Sequence, residues 1–261
     1  MPKKRKAPPS ARSAAGPGIS TSPTPISMST APTTSGPEPL PDKATAPLYF
    51  WRESHAGTGF LSQWHSGHAF LDPRDAERKV YATAEHYMMH HKALLFGDAD
   101  AAAAVLKTGH PRKVKALGRA VQGFSEEAWG RERGRVVERA NYCKFTFPAA
   151  DPSSEEGEEA GGGREWRLGT GATAKTMQAA SFRAALLATG ERELVEASPY
   201  DRIWGVGFAA ADADANREHW GENLLGKALM VVRETFRRED AEEAERKRDR
   251  SKDGDEADRE D

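Results

Sequence analysis

One cysteine in 261 residues excludes a disulfide framework, and Cys143 fits a reducing compartment. No apolar run is long enough for a signal peptide or a membrane span. Residues 1–47 lack any aromatic and hold eleven of the sixteen prolines, with Ser, Thr and Ala between them. That segment cannot bury enough apolar surface to offset its ordering entropy, so a disordered tail is expected. A strong excess charge is missing too. At a net −2 the chain is not a general nucleic-acid-coating protein, although a small basic pocket stays open to it. Absent as well are a phosphate-cradling G-x-x-x-x-G-K-S/T loop, a G-x-G-x-x-G turn after a strand and a G-x-S-x-G nucleophile elbow.

What is present is unevenly spread. All six tryptophans fall between Trp51 and Trp220, which marks residues 48–236 as one folded domain. Inside it, 149–176 reads as a flexible acidic and Gly-rich insertion, with Trp166 and Leu168 able to pin its end. In 237–261, twenty of twenty-five residues are charged with both signs mixed, giving either a solvated helical extension or a disordered tail. Lys3-Lys-Arg-Lys6 is either a nuclear import signal or a plain basic tail, so the expected location is nuclear or cytoplasmic.

Short strands are expected first, at Leu48–Trp51 and in a hairpin pairing His68–Leu71 with Lys79–Tyr81. Helices should follow: from Thr83 to about Phe96, Ala99–Lys107 behind Asp98, Pro111–Val121, and a long one opened by Ser125. Two more are read at Gln178–Thr189 and Asn216–Phe236. The fold class is mainly α (α+β), a single multihelical domain with a small N-terminal β element.

The segment Glu193–Gly207 joins carboxylates, a Ser-Pro corner, a tryptophan and a Trp-Gly-x-Gly turn. Ser198, Pro199 and Asp201 suit the start of a helix. Trp204 reads either as core or as a ring for stacking on a base, with glycines that let a ligand approach the main chain. A second acidic cluster surrounds Glu85. In the first turn of its helix Glu85 should be ionised, serving either the helix start or a developing cation. Lys92, two turns on, is either solvated or a phosphate ligand on the same face. Arg112, Lys115 and Arg119 form a cationic helix face, solvated or ready for a diphosphate. His86 and His90 are four apart, yet no further Cys/His set completes a metal site, so none is expected.

Eight motifs resemble, in order, those of the YbiA-like or NADAR family, across nearly the whole folded part. They are Phe60-Leu-Ser-Gln-Trp64, Ala84-Glu-His-Tyr-Met-Met-His-His-Lys-Ala93, Leu95-Phe-Gly-Asp98, Lys115-Ala-Leu-Gly-Arg119, Asn141-Tyr-Cys-Lys-Phe145, Leu186-Leu-Ala-Thr-Gly190, Leu194–Gly207 and Asn223–Met230. The resemblance implies a metal-independent glycosidase without a cofactor, hydrolysing a ribosyl glycosidic bond of an NAD-derived or nucleotide substrate. ADP-ribose on guanine in nucleic acid is favoured. Riboflavin-pathway ribosylamino-pyrimidines, or silent binding of ADP-ribose or NAD, are the alternatives. No membrane and no obligate protein partner are expected.

Carried over by residue, Glu85 would stabilise the ribosyl cation and activate water, while Asp201 would assist the leaving base and Trp204 would stack on it. Lys92, Arg119 and Arg112 would hold phosphates, and Phe60, Ser62 and Asn223 would contact substrate. Three departures from the family pattern stand out: Gln63 replaces a usual Asn, His90 and His91 are atypical, and the insertion interrupts the run after Phe145, with Gln178 resuming it. A scaffold recruited through its charged tails is the non-enzymatic rival.

Overall fold

Thr83 opens the central helix: its side-chain oxygen accepts the His86 amide, and α1 (Ala84–Leu95) follows. The computed structural model describes residues 46–149, 166–168, 177–179 and 181–257. The other elements, in order, are β1 (Leu48–Phe50), β2 (Phe70–Leu71), β3 (Val80–Tyr81), α2 (Ala99–Lys107), α3 (Pro111–Arg119), α4 (Glu126–Thr146), β4 (Trp166–Leu168), β5 (Met177–Ala179), α5 (Phe182–Leu187), β6 (Leu194–Glu196), α6 (Ala210–Ala213) and α7 (Leu224–Ala257). Helices with a few short strands make up the α+β architecture that the sequence led us to expect. Most of the tail 1–47, with its basic cluster, and most of 149–176 lie outside the described residues.

Capping explains where most helices begin. Asp98, Ser125 and Ser181 accept from Ala101, Ala128 and Ala184 amides, opening α2, α4 and α5. Ser181 also explains why the helix expected from Gln178 starts late, since Met177–Ala179 is strand β5, paired antiparallel to β4. The expected helix from Asn216 is likewise divided. A 3-10 turn spans Asp214–His219, and α7 begins only after Asn223, whose φ of 51° breaks the helical path. The helix then continues through the charged segment to Ala257.

Helix α1 is buried on almost every side, packed by α2, α3 and α4. Its polar residues are therefore satisfied inside the protein. His86 meets Thr83 Oγ1 and Thr108 O, Tyr87 donates to Asp72, and His90 meets Tyr81. Asp72 also takes Arg139 and the Arg74 amide, which hold its carboxyl far below the usual range and tie the β2–β3 hairpin to α4. Apolar packing comes from Met88 and Met89 of α1, Trp129 and Val137 of α4, and Leu225 and Leu229 of α7.

Strands β1 and β6 pair in parallel, placing Phe50 opposite Glu196. Asn223 clamps this pair: its Oδ1 accepts from Glu196 N at 3.0 Å and its Nδ2 donates to Leu194 O at 2.9 Å. Helix α7 rides close over β6, so a Cβ at Gly226 would lie 2.0 Å from Leu194 O. That neighbour is backbone and cannot swing away. Gly226→Ala should therefore cost about 1–3 kcal/mol, read as a lowered Tm in thermal unfolding. An unchanged Tm would mean that α7 can lift from the strand.

Candidate active site

The backbone N–H of Glu85 donates to Gln63 O at 3.0 Å, fastening the start of α1 to the loop that carries Trp64. The carboxylate is 4 % exposed and accepts a hydrogen bond from the Trp64 side chain. Burial pushes its pKa up to about 7, with the charge of Asp201 adding to the rise, while Lys115, the Trp64 bond and Arg119 pull the other way. The expectation of a carboxylate kept ionised by its helix is thus corrected. A first-turn dipole contributes on the order of 1 kcal/mol, less than the cost of removing this charge from water.

A second carboxylate converges on the first. Glu196 ends β6, and burial raises its pKa to about 8, aided by the charges of Asp201 and Glu85 and opposed by Lys115. Its Oε2 has no hydrogen-bond partner among the described residues. The charge of Glu85 thus disfavours ionisation of Glu196, and Asp201 acts on both. Lys115 stands over the Trp64 ring, with Nζ 6.0 Å from its centroid. Gln63 beside it is 7 % exposed, and neither its Oε1 nor its Nε2 finds a partner among the described residues.

The residues singled out from the sequence divide into two groups. The charges of Asp201 and Arg119 both act on Glu85 at this site. Arg112 is exposed at the start of α3, the helix that carries Lys115 and Arg119. The others are occupied by the fold. Lys92 is buried, donates to Gly118 O at 2.8 Å and lies 4.0 Å over the Phe124 ring, so it is no solvated phosphate hook. Phe60 packs in the core against Phe145 and Phe182. Ser62 Oγ accepts from Trp64 N at 3.2 Å, shaping the loop. Asn223 uses both ends of its amide on β6.

Ser198 to Asp201 form a turn and not the helix start expected of them. Asp201 Oδ1 accepts from the Ile203 and Trp204 amides at 2.9 and 2.8 Å. Trp204 packs partly buried against the core. The glycine after it serves backbone packing, because a Cβ at Gly205 would sit 2.6 Å from Glu196 O. The carbonyls of Ile203 and Trp204 accept the Leu224 and Leu225 amides, filling the vacant donors at the start of α7.

Sequence reasoning missed Glu196, Trp64 and Lys144. Glu196 lay within the motif Leu194–Gly207 and closes the otherwise apolar triplet Leu194-Val-Glu, but neither signal separated it from the other acids of that segment. Lys144 is fully buried; its Nζ donates to Phe60 O at 2.7 Å and Ser62 O at 2.9 Å, bracing the Trp64 loop from beneath. Burial pushes its pKa down to about 7. Among the described residues no three His, Cys, Asp or Glu side chains are grouped to hold a metal ion. No described helix is long and apolar enough to cross a membrane.

A fold of this kind, with carboxylates gathered at the end of a short parallel strand pair, matches one family. The NADAR domain model covers residues 49–237, and the chain belongs to that family. It is 33 % identical over 184 residues to an N-glycosidase of Acanthamoeba polyphaga mimivirus, covering 70 % of this chain and 90 % of that one. An N-glycosidase of Nostoc punctiforme is 29 % identical over 157 residues, covering 60 % and 75 %. The solved NMR structure of the E. coli protein YbiA shares the fold at a TM-score of 0.51 and 22 % identity, over 76 % of this chain and 88 % of that one. These relatives support the glycosidase class expected from the sequence.

The raised carboxyls set a direction for stability. Both bind protons more tightly folded than unfolded, so stability falls as pH rises from about 4.5 through about 7 for Glu85 and about 8 for Glu196. Lys144 acts oppositely above about 7, so the contrast between wild type and variant is the clean readout. Glu196→Gln should raise Tm relative to wild type at pH 8.5 and lose that advantage near pH 5 (about 2–4 °C per kcal/mol). An advantage independent of pH would contradict the burial argument.

Proposed function

We propose that this chain hydrolyses the N-glycosidic bond between a ribose and a nitrogenous base, with ADP-ribose on guanine in nucleic acid as the favoured substrate. The observation that carries the reading is the burial of two carboxyls, Glu85 and Glu196, both under the charge of Lys115, with pKa values raised to about 7 and about 8. Two carboxylates in unequal surroundings divide acid and base roles between them. Glu85 has the Trp64 hydrogen bond and the Lys115 and Arg119 charges on its side, so it is the member that ionises first. Ionised, it would face the positive charge growing on the ribose carbon and ring oxygen and orient the attacking water. Glu196 would keep its proton and deliver it to the leaving base.

Lys115 and Arg119, with Arg112 on the same helix, would receive phosphates. The indole of Trp64 offers a stacking face, and the unpaired amide of Gln63 offers a donor and an acceptor to a base edge or a ribose hydroxyl. Asp201, held in its turn, would contribute charge that keeps both carboxyls high. The runner-up substrate is a ribosylamino-pyrimidine of the riboflavin pathway, a smaller ligand that needs less of the basic face. For cellular location we propose nucleus or cytoplasm, on the strength of Lys3-Lys-Arg-Lys6 alone.

Mass spectrometry of products decides among these readings. Wild type is offered a guanine-ADP-ribosylated oligonucleotide, free ADP-ribose conjugates and the pyrimidine intermediate. Release of ADP-ribose is expected, with Glu85→Gln and Glu196→Gln each slower by about 10²–10⁴-fold. Full turnover by Glu85→Gln overturns the mechanism, and release of the pyrimidine alone moves the protein to the runner-up. The pH–rate profile of the wild type should be bell-shaped, with its maximum between about 7 and about 8. Glu196→Gln should lose the alkaline limb.

A further inference from the structure

Two aromatic side chains stand at the edge of this site without a part in the chemistry above. Trp51 follows Phe50, the residue paired with Glu196 in the parallel ladder, and Ala197 N donates to Phe50 O at 2.7 Å. Trp51 therefore leaves the sheet at the end where Glu196 sits, the carboxyl end of the strands, where ligands of parallel sheets commonly bind. Tyr200 immediately precedes Asp201, whose charge is felt by both glutamates. The two rings meet at 6.0 Å between centroids, and Tyr200 is 87 % exposed. Arg52 lies over the Trp51 ring at 4.4 Å and is exposed. Among the described residues no carboxylate comes within ion-pairing distance of it. Ile203, 41 % exposed, continues the apolar edge.

Single exposed apolar side chains are ordinary on a protein surface. Two rings in contact, capped by a guanidinium without a counter-charge and anchored by the same backbone that carries Glu196 and Asp201, are a different matter. Such a group has the parts of a single-strand site: π-faces that take any base, and a cation for the phosphate chain. With a net charge of −2 the chain carries no general excess of cations, so a local platform of this kind suits it for holding a polymer.

We propose that Trp51, Tyr200 and Arg52 form a docking platform for a single-stranded polynucleotide, stacking a base that neighbours the nucleotide in the site. The inference rests on the glycosidase reading for the identity of that nucleotide, and it assigns the natural substrate to a polymer and not a free nucleotide. The strand would lie across the mouth, its modified base directed to Glu85 and Glu196, with Arg52 on a phosphate.

Two measurements test it separately from the chemistry. In the first, the full chain is titrated against a fluorescein-labelled oligothymidylate at several salt concentrations. Wild type should bind and weaken with salt. Tyr200→Ala should bind about tenfold more weakly, Tyr200→Phe should match wild type, and Arg52→Ala should flatten the salt slope. In the second, turnover of an ADP-ribosylated oligonucleotide is compared with that of ADP-ribosyl-guanosine. Tyr200→Ala should raise KM for the oligonucleotide about tenfold and leave kcat and the mononucleoside reaction unchanged.

No oligothymidylate binding by wild type, or equal binding by Tyr200→Ala, overturns the proposal. So does an equal loss on both substrates, which would assign the rings to the adenine of ADP-ribose itself. Absence of turnover on both substrates defeats the reading of ADP-ribose on guanine as the substrate, while the binding titration still decides for or against the platform.

Discussion

Two glutamates kept from water within reach of one another's charge are the constraint around which this domain is arranged. Neither ionises freely, because burial raises both and the charge of Asp201 adds to the rise at each, with Glu85 adding further at Glu196. An apolar core would be more stable with the pair removed. What holds them is backbone. Glu85 is fixed by its amide to Gln63 O, and Glu196 by the Phe50 pairing and the Asn223 clamp. Lys144, itself buried, braces the loop that supplies the Trp64 bond. Each of these ties comes from a different part of the chain, so the site exists only when the whole domain is closed.

The distribution of sequence signals follows from that. Local features were legible: Thr83, Asp98 and Ser125 cap helices where the sequence reading put them, and the β2–β3 hairpin forms across Asp72-Pro73. Glu85 was legible as well, through the motif around it. The partner carboxylate was not, because Glu196 becomes part of a sheet only by pairing with Phe50, 146 positions earlier in the chain. Periodicity reads neighbours within an element and is blind to such a pairing.

The same blindness explains the misplaced cation. Helical spacing sets Lys92 two turns beyond Glu85, which is right along the axis of α1. But α1 is enclosed on almost every side, and the lysine meets Gly118 O and the Phe124 ring. Lys115 comes to Glu85 from another helix. In an exposed amphipathic helix, face and neighbourhood coincide; in a buried polar one they do not.

Membership of a motif is therefore weaker guidance to function than the accounting of polar groups. Ser62, Lys92 and Asn223 belong to motifs of the family, yet their hydrogen bonds go to the loop, to α3 and to β6. Gln63 and Glu196 belong to such motifs too, yet the buried Gln63 amide and Glu196 Oε2 have no partner among the described residues. An orphaned polar atom costs on the order of 1–3 kcal/mol, which a fold tolerates where a ligand will supply the missing partner. Orphans also occur at Asn141 Oδ1 and Thr146 Oγ1 in α4, so the absence of a partner is insufficient alone. What distinguishes the site is that its orphans adjoin carboxyls of raised pKa, a lysine over an indole, and the contacting rings of Trp51 and Tyr200 at the strand end.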